Sequence, residues 1–167
     1  MSLVIRPLEK ADEARWRIYW ALYNDFYKRT ISEEVTASTF SRFIDPSVEL
    51  YCAVAQQTIL DPQLAEPDVP DAPAPELNRI VGFVTWLSHM STSNIKPVVY
   101  LNDLFVDPAV RKGGTGGKLI DHVYDWCRSN DAASCYWTTQ HFNHAAQLLY
   151  VKKATKTDFV KYQKIFL

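Results

Sequence analysis

The stretch that could do chemistry most directly is Val106-Asp107-Pro108-Ala109-Val110-Arg111-Lys112-Gly113-Gly114-Thr115-Gly116-Gly117-Lys118-Leu119. It reads as a strand end, a tight turn, a glycine loop and a helix start. Glycines clear side chains from a ligand's path, so backbone N–H groups can approach closely. A helix start adds free N–H donors and a partial positive charge. Together these predict an anion pocket with a phosphate as its natural guest, and Arg111 and Lys112 put full charges at its mouth. The spacing disfavours two phosphate chemistries. In a nucleotide-hydrolysing loop the Gly-Lys pair is followed by Ser or Thr to hold magnesium, but Leu119 follows Lys118. In a dinucleotide fingerprint the third glycine would fall where Leu119 stands, and the strand ends too early.

The elements around this loop follow from hydrophobic periodicity. Leu3 to Ile5 is a short strand before Pro7. Ala11 to Lys28 is helical, with one stripe of Ile18, Leu22 and Phe26 and a second of Trp16, Tyr19, Tyr23 and Tyr27. Ser32 followed by Glu33 and Glu34 starts a second helix, which Asp45-Pro46 ends. Strands are expected over Val48–Ala55, Ile80–Leu87 and Val98–Val106. The helix after the glycine loop runs from about Thr115 to Arg128, with Leu119, Ile120, Val123, Trp126 and Cys127 inward. A strand over Ala133–Thr138, a helix over Phe142–Lys153 and a last strand over Phe159–Phe166 complete the chain. The order β-α-α-β-β-β-α-β-α-β is that of an α/β layer on one mixed sheet.

Length and composition bound the rest. At 167 residues the chain predicts a single domain spanning 1–167. Lys plus Arg number 18 against 19 Asp plus Glu, a net charge of -1, which disfavours a nucleic-acid binder. No run of 18 apolar residues suggests a membrane span, and the N-terminus lacks a signal peptide's apolar stretch. Cys52, Cys127 and Cys135 form no CxxC pair, which argues against a zinc site or disulfide framework. They fit reduced thiols in an intracellular protein, in the cytoplasm with the nucleus as a second location. Gln56 to Asn78 carries Pro62, Pro67, Pro70, Pro73 and Pro75 with acids and no base. It predicts a polar loop insertion at about 56–78 within a β-hairpin, either passive or attracting a cationic substrate.

Arg111, Gly114 and Gly116 spell R-x-x-G-x-G behind a strand carrying "LFVDP". Downstream, Asn143, Ala146 and Tyr150 spell N-x-x-A-x-x-x-Y on the helix after "SCYWTT". On these motifs the chain resembles the GNAT acetyltransferase superfamily over all but its proline-rich loop. "YLNDLFVDP" and "AQLLYVK" are closest to the yeast Hpa-type group, which acts on histones and other amines, including amino acids; the stretch after Tyr150 resembles bacterial members. The resemblance implies a GNAT fold with a splayed strand pair, acetyl-CoA as donor, no metal, and a primary amine as acceptor, either a small molecule or a protein lysine. It implies that Leu104, Phe105 and Val106 hold the thioester and pantetheine arm. The pyrophosphate falls to the N–H groups of Lys112, Gly113, Gly114, Thr115, Gly116 and Gly117, with Arg111, Lys118, Asn143 and Tyr150 also on the cofactor.

Direct attack of a neutral amine on a thioester makes an oxyanion that a backbone N–H can stabilise by ~3–4 kcal/mol. The departing thiolate then needs a proton or a hydrogen bond, and Tyr150 fits that role. Asp103 is the base expected for the incoming ammonium, directly or through water, or else a structural acceptor; strand alternation sets it with Phe105 and opposite Asn102 and Leu104. Tyr150 as a core aromatic and Asn143 as a helix cap are the plainer readings of those two residues. Tyr23, Tyr27 and Trp86 are expected to grip the acceptor, with core packing as the alternative. His141 and His144 have no metal partner at i+4 and read as surface residues, while His89 at a strand end is either a surface residue or part of the acceptor groove. Cys135 has no adjacent base to activate it, which favours direct transfer over an acyl-cysteine. A non-catalytic acyl-CoA sensor or assembly subunit is the rival reading. The aromatic surplus and the last strand suggest a homodimer or higher oligomer.

Overall fold

The computed structural model describes residues 2–58, 78–111 and 113–166. Most of the expected proline-rich insertion, and Lys112, lie outside the described residues. Five strands form one sheet in the order β1-β2-β3-β4-β5: β1 (Ser2–Pro7), β2 (Tyr51–Thr58), β3 (Asn78–His89), β4 (Val98–Val106) and β5 (Ser134–Tyr136). The first four are antiparallel neighbours, and β5 joins β4 in parallel. The helices are α1 (Glu13–Phe26), α2 (Glu33–Ile44), α3 (Thr115–Ser129) and α4 (His144–Tyr150). This is the mixed α/β architecture expected.

Each sheet face buries its own core. Under α1 and α2 lie Trp16, Tyr19, Tyr23 and Phe40 against Val54, Phe83 and Phe105. Under α3 lie Leu119, Ile120 and Val123 against Ala53, Val84, Trp86, Val99 and Leu101. In α1 the two expected stripes divide: the aromatic one turns inward, while Ile18, Leu22 and Phe26 are exposed. Large flat rings remove more apolar area from water, so the aromatic stripe takes the sheet. The entry to α1 is held by Arg6, whose guanidinium makes two bonds to Asp12 at 2.7 and 2.8 Å. Ser32 caps α2 by accepting from the Val35 N–H at 3.2 Å, as its position predicts.

Two sequence expectations are corrected. The last strand does not form among the described residues: 159–166 pair with no strand, and Phe159, Val160, Tyr162, Ile165 and Phe166 are exposed. Alternating apolar residues make a strand only where backbone groups find a partner. The helix expected over Phe142–Lys153 is regular only over His144–Tyr150, and the turn beyond it is tied to α3. There the Tyr124 hydroxyl donates to the Lys153 carbonyl at 2.8 Å and Lys153 pairs with Asp121 at 2.7 Å.

β4 carries the feature that shapes the site. Thr85 pairs with Asp103 but Trp86 pairs with Leu101, so Asn102 is the extra residue of a β-bulge. Val99 and Leu101 face α3, and so do Leu104 and Val106, an odd step further on. Without the bulge, Asp103 would point with Leu101 into an aliphatic core. With it, Asp103 and Phe105 turn to the α1 face.

Candidate active site

β4 has a partner along its full length on the β3 side but only along three residues on the other. β5 pairs at Val98–Ser134, Val99–Cys135 and Tyr100–Tyr136, and then the strands part. The Asp107 N–H donates to the Val81 carbonyl at 2.9 Å. By antiparallel alternation the backbone groups of Phe105 also face β3, while those of Leu104 and Val106 face the opening. The opening thus offers strand N–H and C=O groups to a ligand, with the Val106 carbonyl already taken by Arg111 Nε. Leu104 and Val106 are half-buried beside it and Phe105 is buried in the α1-face core.

The glycine loop sits at one end of this opening. Asp107 organises it: one carboxylate oxygen accepts from the Ala109 N–H at 2.9 Å and the other from the Tyr19 hydroxyl at 2.8 Å. Burial and Asp107 together push the Tyr19 hydroxyl up to about 12. Gly114 takes φ +80°, which an L side chain rarely adopts. The Lys118 N–H donates to the Gly114 carbonyl at 3.1 Å, so those of Thr115, Gly116 and Gly117 have no acceptor within the helix. A side chain on Gly116 would meet Leu149 at 3.1 Å, so its absence lets α4 close against α3. Arg111 folds back, its Nε donating to the Val106 carbonyl at 3.1 Å. Lys118 is exposed, and Thr115 is buried. A cavity of about 230 Å³ beside the loop is lined by Val110, Gly113, Thr115 and Lys118 with Leu3, Gln57 and Val81, and so opens toward β1–β3, away from the gap.

Tyr150, at the end of α4, packs edge-on against Trp137 with centroids 5.4 Å apart. It belongs to the α3 face and Tyr27 to the α1 face. They nonetheless interact: burial, helped by Tyr27, pushes the Tyr150 hydroxyl up to about 12. The two hydroxyls influence each other although their rings pack on opposite faces, at the place where β4 and β5 have separated. Asn143 stands at the start of α4 but makes no cap bond with its side chain; its amide donates to Thr139 at 3.2 Å. Tyr27 feels that hydroxyl as well, although burial raises its own above the usual value.

Asp103 is 6% exposed. One of its oxygens accepts from Thr85 at 2.6 Å and from Asn102 at 3.0 Å. Tyr23 lies against it, and burial, with the Asp103 carboxylate, raises that hydroxyl far above its usual value. Tyr23 and Tyr27 pack edge-on at 5.0 Å. Asp103, Tyr23 and Tyr27 therefore lie together on the α1 face. Trp86 is not among them. Expected beside Tyr23 and Tyr27, it is buried on the other face, stacked on Tyr51 at 5.6 Å and edge-on to Trp126 at 6.1 Å. Alternation along β3 sends Trp86 opposite to Thr85. Tyr19, Asp107 and Thr139 are site-building residues that sequence reasoning missed. Asp-Pro before a glycine loop was a usable signal for Asp107, whereas Thr139 carries none.

A sheet split beside a glycine loop at a helix start gives an α/β fold that offers strand backbone groups and helix N–H groups to one extended, phosphate-bearing ligand. Residues 16–154 match the acetyltransferase (GNAT) family model. The chain belongs to that family, and it is an acetyl-CoA-dependent N-acetyltransferase. It is 38% identical over 162 residues to the D-amino-acid N-acetyltransferase HPA3 of Saccharomyces cerevisiae, covering 97% of this chain and 90% of that protein. A ribosomal-protein-alanine N-acetyltransferase from Brucella melitensis shares the fold at TM-score 0.72 and 16% identity, covering 99% of this chain and 100% of the other. The structure of AAC(6')-Iy with a CoA-linked bisubstrate analogue does so at TM-score 0.74 and 16% identity, over 100% of both chains. Among the described residues no helix is long and apolar enough to cross a membrane.

Proposed function

We propose that the protein transfers an acetyl group from acetyl-CoA to the primary amine of a small acceptor, with amino acids the first class to test, by direct attack in a ternary complex. The observation that carries this reading is the gap between β4 and β5, with the glycine loop at one end and Tyr150 at the other. Backbone N–H groups from Gly113 to Gly117 hold the diphosphate, with the charges of Arg111 and Lys118 beside them; Lys112, outside the described residues, adds its charge by its place in the sequence. The strand groups of Leu104 and Val106 hold the amide-bearing arm, and one such N–H faces the oxyanion. Asn143 sets the wall beside Tyr150. The name of the yeast relative favours an amino-acid acceptor over polyamines or a histone lysine.

Tyr150 stays protonated at neutral pH. At about 12 its hydroxyl is a weaker acid than an ordinary thiol near ~8.5. It serves the leaving thiolate by hydrogen bonding rather than by full proton transfer. Asp103, buried behind Tyr23 and Tyr27, takes the ammonium proton through an intervening hydroxyl or water. Asp103→Asn is expected to lose activity at neutral pH and regain it as the acceptor amine deprotonates at higher pH.

The test is an acceptor screen by acetyl-CoA consumption with amino acids, polyamines and basic peptides, followed by Tyr150→Phe. A loss of ~100–10,000-fold in kcat supports the reading. Unchanged turnover removes Tyr150 from it, and no affinity for CoA by calorimetry ends it. The exposed apolar residues of 159–166 and the outer edge of β5, which pairs with no strand among the described residues, support self-association, which sedimentation would measure. The three free thiols support a reducing compartment, the cytoplasm first and the nucleus second.

A further inference from the structure

We propose that Arg29 sets acceptor specificity by pairing with the carboxylate of an amino-acid acceptor; the inference rests on the acetyl transfer proposed above. The chain leaves α1 through a strained reversal. Lys28 takes φ +54°, a region that favours glycine. Its N–H donates to the Asp25 carbonyl at 2.9 Å, and the Arg29 N–H donates to Asn24 at 3.0 Å. These two bonds close the helix end and turn Arg29 back over the aromatic stripe. Its guanidinium lies 5.0 Å from the Tyr27 ring centre and 5.4 Å from that of Tyr23.

One guanidinium face is thus held by rings, while the side chain remains exposed. Among the described residues no carboxylate pairs with it, although Arg6, Arg17 and Arg128 each have one. A planar fork fixed on aromatic faces matches a carboxylate through two parallel N–H bonds. Its place is the acceptor side of the gap, because Tyr27 under it packs against Tyr23 at 5.0 Å, Tyr23 lies by Asp103, and the Tyr27 and Tyr150 hydroxyls influence each other across the opening. Asp103 lies behind the same rings. A zwitterion would find its carboxylate at Arg29 and its ammonium within reach of Asp103 through an intervening hydroxyl or water. A polyamine or a lysine side chain has no carboxylate beside its amine, gains nothing from Arg29 and is repelled by it.

The test is steady-state kinetics of the full chain at saturating acetyl-CoA, with D- and L-phenylalanine and with phenethylamine, the same skeleton without its carboxylate. Arg29→Gln is expected to raise KM for phenylalanine by roughly 10- to 100-fold at nearly constant kcat. The acid-over-amine ratio of kcat/KM falls by the same factor, and Arg29→Lys recovers part of it. A ratio unchanged within twofold in a variant with wild-type melting behaviour overturns the assignment. So does a wild-type enzyme that acetylates phenethylamine and neither phenylalanine, and that result leaves acetyl transfer standing. Acetylation of no amine at all removes the transfer reading itself, and this inference with it.

Discussion

The two edges of β4 are built to opposite ends. Toward β3 the ladder runs the length of the strand, and the rings of Phe83 and Phe105 stack at 5.9 Å under α1. Toward β5 pairing stops at Tyr100, and beyond it lie Leu104, Val106, a glycine loop and hydroxyls converging from both faces. The closed edge satisfies its backbone internally, whereas the open edge leaves backbone groups facing the gap. Substitutions on the first should therefore read out in stability, and those on the second in binding and turnover.

The largest expected effect is on the closed edge. Phe83 is fully buried, with Trp16, Trp20, Tyr23 and Phe105 all within ring-contact range. Phe83→Ala should cost ~3–5 kcal/mol of unfolding free energy by urea titration. A cost below ~1 kcal/mol would mean that the α1-face core collapses onto the cavity, and the contrast between edges would fail. On the open edge, Gly116→Val places methyls against Leu149, already 3.1 Å from where a Cβ would sit. It should push α4 away and raise the Kd for CoA on the order of tenfold by calorimetry, with a far smaller fall in melting temperature.

That division was only half legible in the sequence. The bounds of β4, the start of α3 and the glycine loop follow from signals carried within a few residues: β-branched runs, Asp-Pro, and glycine before a 3/4 apolar pattern. What decides the site is less local. Asn102 bears no compositional mark of a bulge, yet it turns Asp103 from one core to the other. In α1 two apolar stripes competed, and only the sheet's shape selects the aromatic one over Ile18, Leu22 and Phe26. Trp86 was grouped with Tyr23 by residue type, whereas register sends it to the far face. The apolar alternation of 159–166 promised a strand, but alternation does not supply a partner.

Titration sharpens the contrast next. Tyr19 ties the loop to α1, Tyr150 borders the gap, and both hydroxyls are pushed up to about 12, chiefly by burial. A phenol whose folded pKa is raised contributes stability that is complete below its unfolded value near 10 and is lost as pH climbs through the folded value. Stability by urea titration should therefore fall from about pH 10 to 12. Tyr150→Phe should flatten that fall, and an identical profile would show that the hydroxyl is not buried.

The smallest effect concerns the cost of the turns that end two helices. Lys28, at φ +54°, aims Arg29 over the rings beside the gap; Asp131, at φ +53°, closes α3 far from it. Both reversals use the same pair of bonds, with the Ala132 N–H reaching the Cys127 carbonyl at 2.9 Å in the second. An aspartate tolerates the left-handed region better than a lysine does, because its short polar side chain can bond locally. Asp131 also pairs with Lys96 at 2.5 Å, an exposed contact of small worth. Lys28→Gly should therefore raise stability by about 0.5–1 kcal/mol, relief of strain less the entropy glycine loses on folding. Asp131→Gly should gain less, by a few tenths of a kcal/mol. Equal gains would mean that Lys28 is as relaxed as Asp131 and that no stability is given up at the helix end beside the open edge.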